Sequence, residues 1–103
     1  MHDKPLRWSE TKNERLKAER RVSFERVVKA IDDGGLLEVL EHPNPVRHQN
    51  QRIMVVAFEG YAYFVPFVET AEYRFLKTIV PSRKATRDYL HRGESDDPAQ
   101  EDN

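Results

Sequence analysis

Arg83, Lys84 and Arg87 stand on the opening turns of a helix that the sequence predicts to begin at Ser82, directly after Pro81 ends a strand. Ser82 is a residue type that caps a helix N-terminus. Cations at a helix start oppose the macrodipole, at about 0.3 to 1 kcal/mol each when exposed, so helix stability does not select them. Guanidinium, ammonium and uncommitted backbone N–H groups do converge well on one phosphate. The junction is therefore expected to hold an external anion. Arg74 and Lys77 lie on the strand before it, Glu69 is a carboxylate just upstream, and Tyr89 follows on the helix.

The charge pattern widens this site. Residues 4 to 29 carry nine Lys/Arg against four Glu, residues 30 to 72 carry two Arg against seven acids, and residues 73 to 92 carry six bases against Asp88. Residues 93 to 103 hold five acids and no base. The net charge of -1 conceals two basic blocks near opposite ends of the domain. A composite cationic surface facing a polyanion such as nucleic acid is one reading. Helix-face ion pairs on a solvated surface are the other.

Chemistry is narrowed by what the chain lacks. With no cysteine, disulfides, thiolate nucleophiles and cysteine metal sites are excluded, and an intracellular location is the default. His42 and His48 fall in a loop without an acid cluster at ligand spacing, so no metal and no cofactor is expected. No run approaches a membrane span, and the first residues lack a signal peptide's apolar centre; a cytoplasmic protein without membrane contact is expected. The 103 residues fit one domain, 1–92, with an acidic tail at 93–103 expected to be disordered.

The positioning elements follow from periodicity. Leu6-Arg7-Trp8 reads as a short edge strand, and Ser9 caps a charged helix over about 10 to 20 whose apolar residues are only Leu16 and Ala18. Lys12 and Lys17 there are candidates for a phosphate-facing side, although Glu10, Glu14 and Glu19 can pair with them. Ser23 caps a second helix with Phe24, Val27, Val28 and Ile31 on one face, Val22 stapled to Val27, and Gly34-Gly35 at its end. Strands are expected at 36–40, 53–58 and 61–68, the last two joined by Glu59-Gly60, with Pro66 marking a bulge or exposed edge. The final strand runs from Tyr73 to Val80. Tyr61, Tyr63 and Phe67 share one side, as core or as a base-stacking stripe.

Trp8 with Lys12 four residues on, the Val22-Ser23-Phe24-Glu25 lead-in to the second helix, Glu69 closing a strand, and Arg83-Lys84-Ala85-Thr86 after the last strand together resemble the BrnT family of toxins from bacterial toxin–antitoxin pairs. The likeness spans about residues 6 to 90. Three departures stand out: Glu19-Arg20-Arg21 replaces a usual Lys-His-Gly, Thr78 occupies a position where the family has Arg, and the loop after Glu69 is longer by about three residues. The resemblance implies a RelE-like α+β fold: two N-terminal helices on a small antiparallel sheet of about four strands, with a C-terminal helix. It also implies a metal-independent endoribonuclease that cleaves mRNA and inhibits translation and growth. A cognate DNA-binding antitoxin of ribbon-helix-helix type would neutralise it, two toxins on an antitoxin dimer. Such cleavage needs a base for the ribose 2′-hydroxyl, cations on the scissile phosphate and a proton for the leaving oxygen. On that scheme Arg83 and Lys84 hold phosphate, Lys77 and Arg74 support them, Glu69 is the base and Tyr89 orients substrate or donates a proton. Arg87, Lys12 and Lys17 extend the RNA-binding surface. A non-catalytic inhibitor of the gyrase-poisoning kind and a plain interaction domain are the alternatives.

Overall fold

The computed structural model describes residues 4–44, 46–47 and 49–91; the acidic tail and His48 lie outside the described residues. In chain order the elements are β1 (Leu6–Arg7), α1 (Glu10–Arg20), α2 (Phe24–Asp32), β2 (Leu36–Glu41), β3 (Gln51–Phe58), β4 (Tyr61–Glu69), β5 (Arg74–Leu76), β6 (Val80–Pro81) and α3 (Arg83–Ala85), which passes into a π-helical turn at Thr86–Leu90. The fold is α+β. Among the described residues no helix is long and apolar enough to cross a membrane.

Both N-terminal helices begin at serine caps: Ser9 Oγ accepts from Lys12 N at 3.2 Å and Ser23 Oγ from Arg26 N at 3.2 Å. A weak apolar stripe is what α1 shows in sequence, and a single residue type missed there explains how it docks. Asn13 is fully buried; its Oδ1 accepts from Phe24 N at 2.8 Å and its Nδ2 donates to Glu25 Oε1 at 2.9 Å. The side chain thus satisfies an N-terminal donor of α2 and ties the two helices together. Leu16, Val22, Phe24, Val27 and Ile31 complete the buried face, each large side chain contributing about 1.5 to 3 kcal/mol. Gly35 lets α2 turn tightly into β2: a Cβ there would lie 2.5 Å from the Ala57 carbonyl oxygen and 2.9 Å from that of Ala30.

β3 and β4 form a hairpin from Gln51↔Val68 to Phe58↔Tyr61. Glu59 and Gly60 close it with φ of 57° and 76°, the paired left-handed geometry of a type I′ turn. The strand order is β1-β5-β4-β3-β2, with β6 also on β4. Six strands replace the expected four or so, and the sheet is mixed, because β1 runs parallel to β5 while the other pairs are antiparallel.

Pro66 explains one of the extra strands. It lies inside β4 opposite Ile53, away from an edge, and the expected bulge falls on the neighbour: three residues, Lys77, Thr78 and Ile79, stand against Val65 and Pro66 between the Phe67↔Leu76 and Phe64↔Val80 pairs. Its carbonyl accepts from Lys77 N at 2.8 Å, so residue 66 faces the neighbour on that side, where a proline offers no N–H. The ladder breaks there, and the expected strand from Tyr73 to Val80 divides into β5 and β6.

Alternation along the hairpin creates two covered faces. Met54, Val56, Val65 and Phe67 pack with α1 and α2, and Tyr63 lies half-buried against them. Val55 and Ala62 pack with Ala85 on the other face, bordered by Leu40, Phe64, Tyr89 and Leu90. Two helices therefore cover one side of the sheet and the C-terminal turn covers the opposite side.

Candidate functional site

Glu69 ends β4 on the face shared with Phe67 and Leu76, and three cations gather on it. Lys4 Nζ donates to its Oε2 at 2.7 Å, Arg52 Nη2 bonds its Oε1, and Arg74 Nη2 stands 3.5 Å from Oε2. The Lys4 ammonium, then the Arg52 guanidinium and the Arg74 charge, hold the carboxyl down to a pKa of about 2 against an opposing desolvation. Such a carboxylate is ionised at neutral pH but a poor proton acceptor, since an effective base has a pKa near the working pH. Its chemistry is that of an anchor for cations. Of its partners, Arg74 stood among the candidate residues of the sequence, whereas Lys4 and Arg52 lie 65 and 17 residues away along the chain and carry no local signal.

The cationic helix sits at the far end of β4. Ser82 N donates to Ala62 O at 3.0 Å, and Thr86 Oγ1 accepts from Ala62 N at 2.9 Å. From Ala62 to Glu69 is roughly 23 Å of extended strand, and the two groups flank opposite faces. The structure therefore does not bring Glu69 to Arg83. Ser82 caps α3 as predicted, its Oγ accepting from Ala85 N at 3.0 Å. Arg83 is exposed on the first turn, and Lys84 and Arg87 pair with Asp88 at 2.8 and 3.5 Å. The Lys84 bond, followed by the charges of Lys84 and Arg87, lowers the Asp88 pKa.

Tyr89 donates its hydroxyl to Glu38 Oε1 on β2. Glu38, not Glu69, is thus the carboxylate that the fold gives to the C-terminal helix. The bulge between Leu36 and Glu38 sets that side chain on the α3 face, and no nearby residue in sequence marks it. Lys77 is exposed at the β5–β6 break. Lys12 is half-buried on α1, and Lys17 pairs with Glu14 at 3.3 Å, the hydrogen bond that raises its pKa.

The two basic blocks do meet. Parallel pairing sets Leu6 beside Arg74 and Arg7 beside Phe75, the Arg7 guanidinium lies 5.2 Å from the Tyr73 ring centroid, and Arg20 Nη1 donates to Ile79 O at 2.8 Å. The first basic block thereby adjoins the strand segment 73–79 at the β1 edge, whereas Arg83, Lys84 and Arg87 stand on the face of the sheet opposite α1 and α2.

No family model, curated protein or solved structure matches the chain. Its function rests on its own residues. Among the described residues no three His, Asp or Glu gather as a metal site, and the His42 Nδ1 accepts from Asn44 N at 3.0 Å.

Proposed function

We propose that the chain is an RNA-binding toxin of a toxin–antitoxin pair, with a RelE-like fold, that cuts mRNA without a metal and acts in the cytoplasm. The observation that carries this reading is the exposed basic turn of Arg83, Lys84 and Arg87 set beside the Tyr89–Glu38 hydrogen bond on one face of the sheet. The first basic block adds Arg7 and Arg20 beside the strand segment that leads into that turn. Arg83 and Lys84, with Lys77 and Arg87, hold the backbone phosphates. Glu38 and Tyr89 replace Glu69 as the proton-handling pair, about 9 Å of helix rise from Arg83. In the reaction the 2′-oxygen attacks phosphorus to form a 2′,3′-cyclic phosphate, its proton passes to the Glu38 carboxylate, the bond to the 5′-oxygen breaks, and that oxygen takes the Tyr89 hydroxyl proton, which Glu38 then replaces. Glu69 fixes the cations around it. A ribbon-helix-helix antitoxin, two copies per two toxins, neutralises the protein by covering the basic side.

A non-catalytic inhibitor is the second reading, favoured by the separation of Glu69 from Arg83 and by its low pKa. Incubating the purified protein with mRNA in EDTA separates the two. Cleavage that persists in EDTA and falls about a hundredfold or more in Arg83→Ala fits the nuclease. Growth arrest with intact RNA, equally strong in Arg83→Ala, sinks it.

A further inference from the structure

The outer side of β1 carries a groove that the phosphate-binding residues leave unused. Leu6, Arg7, Trp8, Glu10, Tyr73 and Phe75 line it, and its volume is about 400 Å³, within the range of sites that hold one small organic molecule. Its walls are set in advance. Trp8 is backed by the core ring of Phe24, with centroids 5.5 Å apart and planes 20° apart, and its indole N–H donates to Glu10 Oε2 at 3.1 Å. Tyr73 is fixed by its turn: its N–H donates to Thr70 Oγ1 at 3.0 Å, and its carbonyl accepts from Thr70 N at 2.9 Å and from Thr70 Oγ1 at 3.0 Å. Arg7 lies over that ring and pairs across the strands with Phe75.

Three ring systems, one guanidinium and one carboxylate around a space of this size make a set suited to a nucleotide. Rings stack on a base, the guanidinium takes a phosphate, and the carboxylate accepts from base N–H groups. We infer that the groove is a nucleobase subsite for single-stranded RNA and takes guanine best. The guanine N1–H and N2 amino group point the same way and can both donate to a carboxylate. Uracil presents one N–H between two carbonyl oxygens, which a carboxylate repels. The inference rests on the proposed RNA reading for the source of its ligand. It adds base choice to the phosphate binding proposed for Arg83 and Lys84.

Trp8 is the single tryptophan, so its emission reports on the groove directly. The full chain is titrated with guanosine and uridine monophosphates, and binding of a short labelled oligoribonucleotide is followed separately by anisotropy. Saturable quenching is expected, about tenfold tighter for the guanosine nucleotide, and weakened about tenfold by Tyr73→Leu. Arg7→Gln, at an exposed residue, is expected to weaken both nucleotides, and Glu10→Gln to abolish the preference between them; far-UV circular dichroism verifies that each variant is folded. Oligonucleotide binding without quenching by either nucleotide, unchanged in Tyr73→Leu, overturns the subsite and leaves the basic side as the RNA contact. Quenching by the guanosine nucleotide without oligonucleotide binding supports the subsite and overturns the RNA reading.

Discussion

Replacing Glu69 by Gln removes one negative charge from a cluster of three cations while keeping the shape of the side chain. The carboxyl is held at about 2 rather than 4.5, chiefly by Lys4 and then Arg52 and Arg74. A group whose pKa is lower in the folded state contributes stability that is fully present above its unfolded pKa and is lost as pH falls through the folded value. The relevant window therefore runs from about pH 5 down to about pH 2. Taken at face value the shift corresponds to at most ~3 kcal/mol. Glu69 retains 22% of its side-chain exposure and Arg52 39%, so screening by water and salt reduces this to about 1 to 2 kcal/mol. In urea denaturation at pH 7 and low salt, Glu69→Gln is expected to be less stable than wild type by that amount. The gap should narrow through pH 4 and 3 and close as pH falls below about 2, where the native carboxyl is protonated and resembles the amide. It should also shrink in 0.5 M salt, roughly by half. Equal stability of the two proteins at pH 7, or a gap that stays constant down to pH 2, would refute the assignment of Glu69 as a charge anchor.

Other parts of the fold give sharper stability tests. Asn13→Ala strands the Phe24 amide and frees Glu25, whose pKa the Asn13 bond lowers; a loss of about 1 to 3 kcal/mol in the same denaturation assay is expected, and a neutral result would show that water replaces the side chain. Gly35→Ala pushes a methyl against two backbone carbonyls and should cost about 1 to 3 kcal/mol in a thermal melt. An unchanged melting temperature would mean that the α2–β2 turn opens easily. In native-state hydrogen exchange the Arg74 amide, bonded to Pro5 O at 3.0 Å, should exchange ahead of the amides of Met54 and Val55 in the hairpin, because two-residue β1 is held by few bonds. Equal protection would place β1 in the same cooperative unit as the hairpin.

The helices and the central hairpin could be read from the sequence because their determinants are local. Ser9, Ser23 and Ser82 cap where their residue types predict, and Glu59-Gly60 makes the turn that joins two β-rich runs. What escaped was set by distance along the chain. Nothing near Glu69 announces that Lys4 and Arg52 will neutralise it, and nothing near Tyr89 announces Glu38. Pro66 was visible as a disruption, but its effect falls on the neighbouring strand rather than its own, which sequence position cannot show. The candidate basic residues were legible as two blocks. Their meeting depends on a parallel strand pair that no pattern within six residues reveals.

That parallel pair also orders events during synthesis. Leu6 and Arg7 are made well before the strand they pair with among the described residues, which begins at Arg74. The hairpin can close from adjacent residues, while β1 must wait for a partner 68 positions further on, paying a large loop-closure entropy when it docks. An unfinished polypeptide therefore holds its two basic blocks apart. The edge of the sheet at β5 is therefore completed last, by the segment that was made first.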